Sequence, residues 1–529
     1  MKKRVLALVL AAITVVAIST SAVASNASSA ADELQIEETT TKYLDAYLRE
    51  AYLYKDMNFA EFAVPTHLVS RSNAILTVNG ESTTVYEAGK NMMYMENKAD
   101  YLKATRQAQG IYRSSFGVEY VFNSKETSAN SATVNVSAFV SFKYDDHDDM
   151  SMLEEVFNIA LVKMSGVWLV ADVVEPSDWF DATYKNDPTF DFAQYTQDCV
   201  KELLAETAVA NAEATPESFP AENTDDSISP MVIGTSLSYN RNNAVAYAYT
   251  YTTSSGTNTP TDFYNQNFQS FGSDCMNFVS QCVWAGFGGN NNIATIDSHV
   301  APMDVTGAYA NNWFSSSLNK QNQHSKSWSG CESFRTYLNN RTAGDSGLNG
   351  NMYDIGTGAF SSIPNWSNNL LGAILHVPGN QGDYGHAVIV TEVNGTSRSQ
   401  VEFCGHTSMA KAIKVGDAWP TGKILVMIPT TFTAEQAVKS PRITATLYKP
   451  VRVNTALTLS ATTDVSCYSI KTTVITPAGA STVVGTRNNT TTASCSYQFT
   501  QTGLYTVKVS AVRNTGDTPV DFYYTIRIY

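Results

Sequence analysis

The sequence predicts a multidomain α+β chain of three modules, and three observations carry that prediction. Before residue 200, a stretch with helical periodicity passes into long alternating strands. Residues 201–236 are rich in Ala, Glu, Pro, Ser and Asp and poor in aromatics. From residue 431 onward, short alternating strands follow one another with turn residues between them. A length of 529 residues agrees with roughly three domains.

The first 24 residues read as a secretory signal peptide. Lys2, Lys3 and Arg4 precede an apolar run at 5–18, and Ala22, Val23 and Ala24 supply a small-residue cleavage site. No later stretch approaches the roughly 18 apolar residues that cross a membrane, so the expected product is exported and carries no membrane span. The formal charge is −14, and removing the three leader cations takes it to −17. Nucleic acid is not the expected partner, because phosphate binding needs clustered Lys and Arg. From residue 431 the balance reverses to +5, nine cations against Glu435, Asp464, Asp517 and Asp521. That is ordinary surface or a weak attraction for an anionic wall polymer.

In the first module, residues 33–200, a helix over 33–64 carries Leu34, Tyr43, Leu44, Tyr47, Leu48, Ala51 and Tyr52 on one face and ends at Pro65. The strands ILTVNG, SATVNVSAFVSFKY, EVFNIALVKM and VWLVADVVEP come next. A helix followed by long strands and a KMSGVWLVADV hairpin resembles the cone-shaped fold of nuclear transport factor 2-like (NTF2-like) domains. Residues 201–236 form a short helix running into a linker. Residues 431–529 read as a β-sandwich of immunoglobulin-like type.

The chemistry lies in the middle module, residues 237–429. A helix with Ala244, Tyr247, Ala248 and Tyr251 on one face precedes a second, in which Cys275, Phe278, Val279, Cys282 and Val283 share a face until Gly286. Ser273 or Asp274 can cap this second helix, which puts Cys275 in its first turn. There the helix dipole and unpaired N–H groups favour thiolate, and those N–H groups, that of Cys275 included, can hold an oxyanion. His386 opens the strand HAVIVTEV and is the candidate base. Asn394 and Gly395 turn the chain, and the next strand carries Glu402, Cys404 and His406 on one face. If the hairpin centres near Ser397, His386 lies opposite Ser408 and His406 one diagonal step away, placed to orient the base. Glu402 is the weaker candidate for that role. Gln269, Asp274 and Asn277 are the further residues that could reach substrate or oxyanion, with capping for Asp274 and packing for Asn277 as the structural alternatives.

The segments NRNNAVAYAYTY, DCMNFVSQCVWAGF, SKSWSGCESFRTYL, GHAVIVTEV and FCGHT together resemble the amidase domain of secreted bacterial proteins, a relative of papain-like and NlpC/P60 cysteine peptidases. The resemblance implies a papain-like α+β fold, a Cys275 nucleophile, a His386 base and a third polar residue that His406 matches. This chemistry requires no cofactor or metal, and a metal site of Cys275, His386, Cys404 and His406 is the less expected reading, because the Cys275 helix offers no second strong ligand except Cys282. The resemblance also implies a secreted, extracellular or cell-surface bacterial protein acting on a peptide or amide, with peptidoglycan as one substrate class. The chain departs from the family in carrying Leu371, Gly372 and Ala373 where relatives often have Gly-Asp before the histidine strand.

The expected function is therefore a secreted cysteine hydrolase of amide or peptide bonds. The alternative is an extracellular binding or adhesion protein with a non-catalytic amidase-like scaffold. Seven cysteines are too few for a disulfide scaffold, and the odd number leaves one unpaired if the rest pair. Cys275 is the expected free thiol, with Cys282 or Cys331 as its alternative disulfide mate, and Cys467 with Cys495 is a candidate inter-strand bridge.

Overall fold

The computed structural model describes residues 30–64, 75–78, 81–146, 150–175, 190–213, 236–253, 263–266, 268–271, 273–288, 313, 315, 324–341, 347–377, 384–407, 409–433, 441 and 443–529. The expected signal peptide and most of the expected linker lie outside the described residues. The chain divides into two compact units, 1–207 and 208–529. Among the described residues no helix is long and apolar enough to cross a membrane.

In the first unit, helix α1 (Ala30–Leu53) buries Tyr43, Leu44, Tyr47, Leu48, Ala51 and Tyr52, the face set by the i, i+3, i+4 spacing. Leu34 lies off that face and is exposed. The helix stops at Leu53, well before Pro65, because Tyr54 takes a left-handed φ of 59° that no helix continues through. Strands β1 (Ile75–Val78) and β2 (Glu81–Thr84) form a small hairpin before helix α2 (Val85–Ala108). This second helix has no apolar signature in the sequence, since its buried side includes Met92, Met95 and Ala99 among charged neighbours.

Four antiparallel strands then run in order: β3 (Arg113–Thr127), β4 (Ser131–Tyr144), β5 (Ser151–Met164) and β6 (Val167–Val174). Strand β4 buries every second residue from Val134 to Tyr144, as its alternation predicts. The β5–β6 turn places Ser165 and Gly166 at φ of 54° and 84°, the pair of positive angles a tight right-twisted hairpin needs. Helix α3 (Phe192–Glu213) comes after them, so residues 201–213 of the expected linker are helical.

The second unit has two hydrophobic cores. Around the first, helices α4 (Arg241–Thr252), α5 (Cys275–Gly286) and α6 (Cys331–Asn339) accompany an antiparallel sheet. Its strands are β7 (Ser236–Ser238), β8 (Gly347–Gly356), β9 (Ile374–Val377), β10 (His386–Val393), β11 (Val401–Gly405), β12 (Ala410–Lys414) and β13 (Ile424–Thr433). Their order is β12-β11-β10-β9-β13, and β13 also pairs with β8 and, at its end, with β7. Helix α5 packs on α4 and β10, which brings its first turn to the start of the histidine strand. At the family departure, Gly372 takes φ of 69° and an added Cβ would sit 3.3 Å from Arg241 Cα, so this position needs glycine for space and conformation alike.

Around the second core run β14 (Ile443–Ala445), β15 (Ala456–Ile475), β16 (Ser481–Gln498), β17 (Gly503–Val512) and β18 (Val520–Ile528). These strands form one hydrogen-bonded set of five. The long β15–β16 hairpin is interrupted between Thr462 and Cys467, so one half of β15 pairs with β14 and the other with β17. The expected Cys467–Cys495 bridge is absent. Cys467 lies opposite Thr490 and Cys495 opposite Leu459, and both thiols are free.

Candidate active site at the start of helix α5

Every residue of α5 is buried, and its first residue is Cys275. The His386 imidazole and the Ala387 N–H stand close enough to the Cys275 sulfur to favour its thiolate. The Cys331 sulfur, at the first position of α6, lies 3.7 Å away. Hydrogen bonding with Cys331, followed by the nearby His386 imidazole, holds the Cys275 thiol well below the ordinary thiol range against the opposing effect of burial. Two turns along the same helix, burial and the neighbouring Cys404 push the Cys282 thiol the other way. The sequence-predicted nucleophile and base therefore meet.

His406 does not join them. Near the hairpin tip the register is the expected one, with Glu392 opposite Glu402 and Val393 opposite Val401. Thr391 is then an extra residue in β10, a bulge, after which Val390 pairs with Phe403 and Ile389 with Cys404. A one-residue slip turns every later side chain to the other face. Continued past Gly405, this register sets His406 beside Ala387, not on the face of His386.

His406 is instead buried on the other side of the α5 terminus. Its Nδ1 lies 3.0 Å from Asp274 Oδ2 and its Nε2 3.1 Å from the Tyr251 carbonyl oxygen of α4. Its ring stacks on Phe278 at 3.8 Å. Both nitrogens face acceptors, one the Asp274 carboxylate and the other the Tyr251 carbonyl oxygen.

Asp274 does not cap α5 through its side chain. Its Oδ1 accepts from the Phe271 N–H at 3.0 Å and from Asn277 Nδ2 at 2.8 Å. Asn277 also donates to the Gln269 carbonyl and accepts from Trp328 Nε1, both through its amide. Asp274 and Asn277 are thus bound into the protein frame, and Gln269 contributes its backbone oxygen to the same network. Trp313 and Trp328 complete it through Ser280, as buried wall residues.

The expected oxyanion donors are occupied. The N–H groups of Asp274 and Cys275 both donate to the Thr407 hydroxyl, at 2.9 and 3.0 Å. Thr407 is exposed and sits at φ of 86°, an unfavourable angle for a β-branched residue. An oxyanion reaching these donors has to displace that hydroxyl.

Sequence reasoning passed over two further residues here and named a third, Cys331, only as a possible disulfide mate. Cys331 begins a helix after Gly330 much as Cys275 does after Asp274, a repeat of pattern visible in SGCESF. Thr407 had no signal beyond its place next to His406. His376 is fully buried on β9 opposite Ala387, and neither ring nitrogen has a hydrogen-bond partner among the described residues. Burial pushes its pKa down to about 4. Among the described residues no three His, Cys, Asp or Glu side chains are gathered to hold a metal ion.

No curated protein matches the chain. A solved structure, "AA10 lytic polysaccharide monooxygenase (LPMO) from Streptomyces lividans", is similar at 14% identity and a TM-score of 0.12, over 16% of this chain and 59% of that one. At that score it carries no argument. Residues 238–427 match the family model described as "Putative amidase domain". The segment that holds Cys275, His386, His406 and Cys331 is therefore similar to an amidase-domain family, which supports hydrolysis of an amide bond.

Proposed function

We propose that this chain is a cysteine hydrolase of amide or peptide bonds, in which Cys275 attacks the carbonyl and His386 carries the proton. The observation that supports it is the His386 imidazole beside a sulfur in the first turn of a helix, with the thiol held well below its ordinary range. In this reading the thiolate adds to the amide carbon and the oxyanion moves onto the N–H groups of Asp274 and Cys275 as the Thr407 hydroxyl swings out. Imidazolium then protonates the leaving amine, and water, deprotonated by His386, clears the thioester. Catalysis runs on a Cys–His pair, with Asp274 and His406 holding the helix start.

The proposal extends to a papain-like arrangement of the middle module, an NTF2-like first unit, secretion into the bacterial cell envelope, and peptide stems of peptidoglycan as the substrate class. The scaffold alternative draws support from one observation, the occupied Cys275 N–H.

Two measurements test the proposal. Purified protein hydrolyses peptidoglycan stem peptides, and Cys275→Ala lowers turnover by several orders of magnitude. A thiol alkylator at mildly acidic pH labels Cys275 rapidly, because a depressed pKa keeps thiolate present as pH falls below the usual thiol range. Unaltered hydrolysis by Cys275→Ala, or sluggish labelling that rises only near the ordinary thiol pKa, sinks it.

A further inference from the structure

Two cysteines from distant parts of the chain, 56 residues apart, meet sulfur to sulfur at 3.7 Å, and neither is in a disulfide. Each is the first residue of a helix, so each thiol stands in the positive field of a helix N-terminus. No other cysteine stands in such a place. Cys282 and Cys404 are buried in the core with their thiols pushed up, and Cys467 is tied to Thr463 and Val465 in the C-terminal strands. The sulfurs of Cys275 and Cys331 need to close by about 1.7 Å to reach disulfide length, a movement within the reach of two side chains at helix ends.

We propose that Cys275 and Cys331 form a reversible oxidative modification site, in which a peroxide converts the facing thiols into a disulfide that closes the site. In the first step the Cys275 thiolate displaces hydroxide from hydrogen peroxide, forming an S–O bond as the O–O bond breaks, and becomes a sulfenic acid. In the second, the Cys331 sulfur attacks the Cys275 sulfur and the S–O bond breaks. The thiol proton leaves with the hydroxyl group as water. The hydroxide takes up the proton that Cys275 lost on ionising, so the two thiols are oxidised by two electrons and the peroxide is reduced to two waters. An added dithiol such as dithiothreitol reverses the bond by exchange. Without a partner, a sulfenic acid goes on to irreversible sulfinic acid. Cys331 thus protects the reactive sulfur as well as silencing it. The modification stands on the two sulfurs, and only its consequence for hydrolysis rests on the function proposed above.

The test treats reduced full-length protein with hydrogen peroxide and maps cysteines by peptide mass spectrometry, with hydrolysis followed in parallel. The expected result is a linked Cys275–Cys331 peptide pair, loss of two hydrogens per chain and return of both thiols with dithiothreitol. Cys331→Ser is expected to lose recovery, with Cys275 trapped by dimedone early and found as sulfinic acid later. Cys331→Ala repeats the experiment should the serine variant fail to fold. Linkage of Cys275 to another cysteine, sulfinic acid at Cys275 in the unsubstituted protein, or full recovery in both variants overturns the proposal. A linked pair in a protein that hydrolyses nothing upholds the modification and removes the hydrolase, whereas hydrolysis without linkage does the reverse.

Discussion

The start of helix α5 has two sides, and each is served by one histidine from neighbouring strands. On one side His386 is half-buried and stands beside a sulfur whose thiol is held down in pKa. On the other, His406 is buried between a carboxylate and a carbonyl, with both nitrogens engaged. The same side chain therefore meets two different demands. An imidazole that moves a proton needs a nitrogen facing the reacting atom, whereas one that braces a helix needs both nitrogens satisfied, since buried polar groups left unpaired are costly. The bracing side also reaches further: α4, whose Tyr251 carbonyl accepts from His406, is held in turn by the C-terminal strands. Arg527 donates to the Thr250 carbonyl at 2.8 Å and Thr525 meets the Tyr251 hydroxyl.

Exchanging the two roles by mutation gives the largest expected effects. His386→Ala lowers turnover by about 10²–10⁴-fold, the usual contribution of a general acid–base, with little change in melting temperature. His406→Ala acts on stability instead: leaving the buried Asp274 carboxyl without that partner costs roughly 1–3 kcal/mol, read from denaturant melts. Equal losses of stability in both variants would dissolve the distinction between the two sides.

His376 sharpens it at the next level. Its pKa falls from 6.5 to about 4 on folding, so the folded protein keeps it neutral while the unfolded chain takes up a proton. The stability this confers is fully present above pH 6.5 and is lost as the pH falls towards 4, in total about 3 kcal/mol at 1.36 kcal/mol per unit. His376→Leu should flatten that stretch of the stability profile, measured by melts at stepped pH. An unchanged slope would place the acid sensitivity elsewhere.

Thr407, where the two sides meet, carries the smallest effect. Thr407→Ala removes the acceptor for two helix-terminal N–H groups and should cost about 1 kcal/mol, the scale of a lost cap. Turnover should equal or exceed that of the unsubstituted protein, because the oxyanion donors are then open. A fall in turnover with stability intact would mean that the hydroxyl itself acts on substrate.

Much of the fold was legible from periodicity. The buried faces of α1 and β4 obey patterns that depend only on side-chain direction along one element. Helix α2 was not, because methionine and alanine among charges leave little contrast between its faces. The hairpin after β10 was legible at its tip and misread beyond it. Asn394 and Gly395 do not make a two-residue turn. A longer loop, closed by the Asn394 N–H donating to the Gln400 carbonyl, carries the buried Arg398 onto the Trp419 and Gly422 carbonyls.

The sequence by itself determined that Cys275 begins a helix and that His386 begins a strand, because both are set by the spacing of apolar residues within a dozen positions. Only the tertiary structure decided that His406 turns away from the sulfur to Asp274 and Tyr251. A single extra residue at Thr391 reverses the facing of the paired side chains beyond it, and a bulge leaves no mark in an alternating pattern. It likewise decided that Cys331 and Thr407 close on Cys275 from 56 and 132 residues away. Contacts of that span are set by how helices and sheet pack, and no local periodicity encodes them.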